Sequence, residues 1–216
     1  APAAAPGRAS PWRDGPFVAF LALVALLAAV FFQIMSTLPL YWREHLALAE
    51  DSIGALLALN TVIIVAIEMV LVRAIEHRDH LRLVGVGAFL VCLGFALMPF
   101  GSGVAFVAVT IVVWTAGEML ALPLSNAFAS LRGGAAGTGR YMGAYMLAFA
   151  AAFVIAPLVG TAVYQRWGAE TLWHSCAAVG VVLLAGFWRL SAVVRRELPG
   201  ELRKGALNVA YVLVGV

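Results

Sequence analysis

Six continuously apolar runs, separated by short loops that hold most of the charge, constrain this chain more than any other feature. They fall at about 17–42, 52–73, 81–99, 104–130, 140–164 and 172–190. Each exceeds the ~17 residues that a helix needs to cross hydrocarbon. Lipid offers no water to backbone N–H and C=O groups, so only helices and closed barrels can span it. Barrel strands alternate apolar and polar positions over about ten residues, and these runs do not alternate. The fold predicted is therefore an all-α membrane protein with six transmembrane helices. Composition agrees: 63% of the 216 residues are hydrophobic and 12% charged, against about half and a quarter in a soluble domain. Such a chain has no polar skin to keep it in water and little length left for a soluble catalytic domain.

The spacing divides the chain into three parts. Residues 1–15, rich in Pro and Ala with Arg8, Arg13 and Asp14, read as a cytoplasmic linker. The bundle occupies 16–190, and its first apolar run is too long for the core of a signal peptide. Residues 191–216 form a cytoplasmic or interfacial tail, basic up to Lys204, whose final apolar stretch is too short to span. Orientation follows from Arg and Lys. With six spans both termini share a face, and that face carries all of the 14 basic residues except Arg43 and Arg166. Both termini are thus expected in the cytoplasm. Every basic residue but Lys204 is arginine and alanine is abundant, which suggests a GC-rich bacterial genome and an inner (plasma) membrane. The basic residues are scattered over loops, so nucleic acid is not an expected partner. Cys92 and Cys176 each lie inside an apolar run and read as buried small hydrophobes.

Polar side chains at membrane depth are costly and therefore informative. Glu118 lies fourteen residues beyond Val104, about 21 Å down its helix. Thr115, Glu118 and Ser125 share a face, with Asn126 beside them. In the second run Asn60, Thr61 and Glu68 recur at helical spacing; in the first, Gln33, Ser36 and Thr37 form a stripe; in the fifth, Tyr141, Tyr145 and Phe149 are four apart. The third and sixth runs hold almost nothing polar inside. Four helices are thus expected to line a wet cavity and two to face lipid. Pro39, Pro123 and Pro157 are candidate helix-bending positions. Gln33 precedes Pro39 and Glu118 precedes Pro123 at similar spacing, which fits a 3+3 inverted repeat. An intramembrane enzyme would need a nucleophile with a base, or metal ligands, converging at depth. No Gly-x-Ser-x-Gly or His-Glu-x-x-His pattern occurs, and His77 and His80 lack the partners of a metal site. Neither enzymatic activity, nor a metal, nor a cofactor is expected.

Several of these segments resemble the C-terminal half of a major facilitator superfamily transporter, on the drug/proton antiporter branch. Gly117-Glu118 followed by Pro123, and then Gly139-Arg140-Tyr141-Met142-Gly143, are similar in spacing to the tenth and eleventh helices of such exporters. Ala156-Pro157-Leu158-Val159-Gly160 resembles the family's Gly-Pro-x-x-Gly motif, with Ala in the first position. Leu59-Asn60 through Glu68 and Arg73 resembles the eighth helix, and the loop from Glu76 to Arg82 its connection to the ninth. The resemblance implies half of a twelve-helix transporter that exports a small amphipathic molecule in exchange for protons. Glu118 and Glu68 would then handle the proton and the other polar residues line the cavity. It also implies a partner, the N-terminal six-helix half, because such transporters enclose substrate between two halves. A non-transporting six-helix scaffold, or a half-size protein that needs a partner half, is the alternative.

Overall fold

The computed structural model describes residues 10–75 and 78–197. The first part of the linker (1–9), Glu76 and His77 of the basic loop, and the tail from 198 onward lie outside the described residues. The chain runs through α1 (Gly15–Phe31), a 3-10 turn (Phe32–Met35), α2 (Thr37–Glu44), α3 (Glu50–Ile75), α4 (His80–Ala96), α5 (Val104–Trp167) and α6 (Ala169–Glu197). α5 holds two spans, a first leg over Val104–Gly134 and a second over Ala136–Trp167. With Gly15–Met35, Glu50–Ile75, His80–Phe100 and Ala169–Glu197 these make six helices long and apolar enough to cross a membrane. No strand occurs among the described residues.

Local chemistry sets the helix ends. Asp14 caps α1 by accepting from the Phe17 backbone N–H at 3.4 Å, and Asp79 caps α4 by accepting from that of Arg82 at 3.2 Å. Each cap satisfies one donor that a helix start leaves without a partner. The single run expected over 17–42 is interrupted. Pro39 has no N–H to continue the helix, and its ring crowds the carbonyl four residues back, at Met35. The chain takes a 3-10 turn there, and Ser36 leaves helical geometry (φ −133°, ψ −80°) before α2 resumes. Pro123 and Pro157 act differently, since helix runs through both. The break inside α5 is at Gly134 (φ 60°, ψ 176°), in a region open almost only to glycine. The chain needs no longer loop, and the fifth span begins at Ala136 rather than near 140. α6 also continues past 190 to Glu197.

Packing is uneven. Between α4 and the first leg of α5, Gly87 and Gly117 face each other closely: a Cβ on Gly117 would lie 2.5 Å from the Gly87 carbonyl oxygen, and one on Gly87 2.6 Å from that of Gly117. Two turns further along α4, Gly94 fits closely against Trp114. Small residues let membrane helices approach until their backbones touch. Phe95 stacks between Trp114 and Trp173, joining α4, α5 and α6 at ring distances of 5.7 and 6.2 Å. Further along the bundle a second ring cluster forms, with Phe20 at 5.6 Å from Phe17 and 6.3 Å from Phe187, all three fully buried. The expectation that the third span lies at the lipid-facing edge is thereby corrected. It is the most enclosed of the six, with 56% of its most apolar stretch buried, whereas the second has 6% and the fifth 17%. Cys92 and Cys176 are free and buried.

Candidate functional site

Gly117 turns its helix face to α4, so Glu118, one residue on and about 100° around the helix, is directed to the side where α3 lies. Three residues singled out in the sequence meet there. The Asn60 amide nitrogen donates to the Thr115 hydroxyl at 3.0 Å and to Glu118 Oε2 at 2.9 Å. Thr115 is fully buried, Asn60 is buried and Glu118 is half-buried. Glu68 stands two turns further along α3, half-buried, within electrostatic reach of Glu118. Thr61 and Asn126 are exposed, whereas Ser125 is buried with its hydroxyl oxygen unpartnered among the described residues. The outcome is a polar seam between α3 and the first leg of α5 with carboxylates along it.

The remaining candidates go elsewhere. Gln33 and Thr37 are enclosed between helices in a clasp. Gln33 Nε2 donates to the carbonyls of Ala29 and Ala156, each at 3.0 Å, while Thr37 donates to Gln33 Oε1 at 2.8 Å. The clasp explains Gly160 in the motif of the fifth span: a Cβ there would sit 1.9 Å from Gln33 Oε1. Ser36 beside it has a buried hydroxyl oxygen without a partner among the described residues. Tyr145 stacks on Phe20 and packs on Phe149, at 6.1 and 5.0 Å between centroids. Tyr141 is fully buried and donates from Oη to Asp14 at 3.0 Å.

That last contact belongs to a charged node that reading the sequence missed. Arg132 donates to both Asp14 oxygens, at 2.8 and 2.7 Å, and reaches Glu197 at 2.7 Å. The Arg132 and Asp14 side chains are only 8% and 6% exposed. Removing one partner from such a pair leaves an uncompensated buried charge, at a cost of about 3–5 kcal/mol. The node ties the start of α1, the turn inside α5 and the end of α6. A second clamp joins α4 to α6: Asp79 accepts from Ser191 at 2.7 Å and pairs with Arg195. Burial works against the charged form of Asp79, but the hydrogen bonds from Ser191, Arg195 and the Arg82 N–H outweigh it and hold the carboxyl below the usual carboxylate range. The available signal was local. In each case an aspartate immediately precedes an apolar run, as at a helix N-cap.

The family model described as Major Facilitator Superfamily matches residues 2–157. The chain belongs to the major facilitator superfamily. It is therefore a multi-pass membrane protein of a transporter family, and its all-helical bundle of six spans is consistent with one half of that fold. The matched segment contains Asn60, Glu68, Thr115 and Glu118, and so takes in the whole polar seam. No curated protein and no solved structure matches the chain.

Proposed function

We propose that this major facilitator chain is the C-terminal half of a secondary transporter that exports a small amphipathic molecule in exchange for protons, with Glu118 the group that gains and releases the proton. The observation that carries this reading is the Asn60–Thr115–Glu118 cluster. It puts a half-buried carboxyl at membrane depth, hydrogen-bonded on one oxygen. An ionisable group there is expensive unless it is used. Glu68 is the second proton-handling candidate, further along the same seam. Thr61 and Asn126 are exposed and available to line a cavity, whereas the clasped Gln33 and Thr37 act in helix packing.

The faces that the bundle leaves uncovered support a partner half. Val65, Val70 and Met69 on α3 and Val154 and Leu158 on the second leg of α5 are each at least 65% exposed. An N-terminal six-helix half would cover them and enclose substrate against the polar seam. The excess of Arg and Lys on the face expected to bear the termini supports a cytoplasmic position for that face, and the Arg- and Ala-rich composition supports a bacterial inner membrane. The test is efflux of ethidium, an amphipathic cation, from vesicles in which both halves are present. Glu118→Gln keeps shape and a neutral hydrogen bond but cannot release a proton. It is expected to retain dye binding while losing most of the dependence on the pH gradient. Unchanged dependence would remove Glu118 from coupling.

A further inference from the structure

α3 is held to the bundle unlike any other span. Among its 26 residues only Leu56 and Asn60 are buried. It packs on α5 and, more lightly, on α2. Among the described residues, the side-chain hydrogen bonds that join α3 to another helix are both made by Asn60, to Thr115 and to Glu118. The two bonds differ in kind. The one to Thr115 is neutral to neutral and does not change with pH. The one to Glu118 is charge-assisted when the carboxyl is ionised, and roughly half as strong once it is protonated. Asn60 itself does not titrate, so the strength of the tie follows the charge of its partner.

We propose that Asn60 is the positioning residue through which the charge of Glu118 controls the docking of α3: ionised Glu118 holds α3 against the first leg of α5, and neutralised Glu118 releases it. The step is a proton added to one carboxylate oxygen, with the amide hydrogen bond to the other weakened. The proposal rests on Glu118 exchanging protons as put forward above. Glu68 is the other charged group that acts on Glu118 among the described residues, and it also lies on α3. When both are ionised it repels Glu118 and pushes against docking. It sits eight residues from Asn60, about 12 Å of helix rise, while the Asn60 contact is direct at 2.9 Å. The direct bond therefore dominates, and Glu68→Gln should strengthen docking at high pH.

Leu56, 3% exposed on the docked face of α3, reports the seam. With Cys92 and Cys176 replaced by Ala, Leu56→Cys is labelled in membrane vesicles by a small water-soluble thiol reagent. Because only the thiolate reacts, each rate is divided by that of the same thiol in detergent-unfolded protein at the same pH. This normalised labelling rate is expected to rise about tenfold as the pH is lowered, the ratio set by a charge-assisted against a neutral hydrogen bond. Glu118→Gln should make labelling fast and independent of pH. Asn60→Ala should do the same although Glu118 is intact, and Thr115→Ala should raise the rate while keeping its pH ratio. Native Cys92 as the sole thiol, buried between α4 and α6, must stay unlabelled in Asn60→Ala. If it does not, Asn60→Ser takes that variant's place. A purely structural Asn60 would raise the rate equally at every pH, and that result overturns the proposal, as does a wild-type rate insensitive to pH. A flat labelling profile alongside efflux that still responds to Glu118→Gln sinks this inference alone. A pH-dependent profile lost in Glu118→Gln, with efflux unaffected, sinks the coupling role alone.

Discussion

α3 and α4 follow one another in the chain, are similarly apolar, and are held in opposite ways. α4 is welded to its neighbours: backbone meets backbone at Gly87 and Gly117, rings stack around Phe95, and Asp79 is clamped to α6. α3 touches the bundle along one narrow strip and exposes the rest, with Val65 at 79% and Val70 at 71%. Lipid tails are as apolar as leucine, so hydrophobicity alone cannot decide which helices pack tightly. Small residues and polar partners decide it. The lesson of the pair is that Glu68 and Glu118, the two carboxylates along the polar seam, lie on or against the loosely held span, whereas Asp79 serves to clamp the rigid one.

The comparison breaks most visibly at glycine. Gly117→Ala puts a methyl group 2.5 Å from the Gly87 carbonyl oxygen and the Val91 nitrogen, both backbone atoms that cannot step aside. It should cost about 1–3 kcal/mol, seen as a lower melting temperature in detergent. Gly54→Ala on α3 meets nothing within 4 Å and should gain up to about 1 kcal/mol from helix propensity. Equal effects of the two changes would erase the distinction between the packed and loose spans.

A smaller effect sharpens the comparison through pH. Asp79 is held below its ordinary range, so its ionised form contributes stability that is fully present above the unfolded value of about 3.9. That contribution is lost as pH falls through the lower folded value. Asp79→Asn should cost about 1 kcal/mol near neutrality, discounted because Arg195 is partly exposed. The gap to wild type should close in acid below about pH 4. A gap that persisted there would mean that the clamp acts by shape rather than charge.

The number of spans and the identity of Glu118, Asn60 and Thr115 were legible because membrane length and the cost of a buried polar group are local properties of sequence. Pro39 likewise marked a bend, though its consequence, a 3-10 turn centred before it, depended on Ser36 leaving the helix. What lay beyond reach was pairing at a distance. Reading α4 as peripheral took lack of polarity for exposure to lipid, when its Gly85, Gly87 and Gly94 were the mark of close approach. Nothing local tells Gly117 that it faces Gly87, or Gly160 that it makes room for Gln33. Arg132 was counted as a loop charge because its partner Asp14 is 118 residues away. The node that holds the termini-bearing ends together is a product of the fold.

Whether Glu118 takes up and releases a proton while Glu68 is secondary, as proposed, can be measured without knowing the substrate. Infrared difference spectra of the protein in vesicles, recorded across a pH step, report the C=O stretch of any carboxyl that becomes protonated, and single Gln variants assign it. With Glu118 as the proton site, a carboxylic C=O band is expected that disappears in Glu118→Gln and survives in Glu68→Gln. A band that survives in Glu118→Gln and disappears in Glu68→Gln would contradict it and move the proton site from α5 to Glu68 on α3.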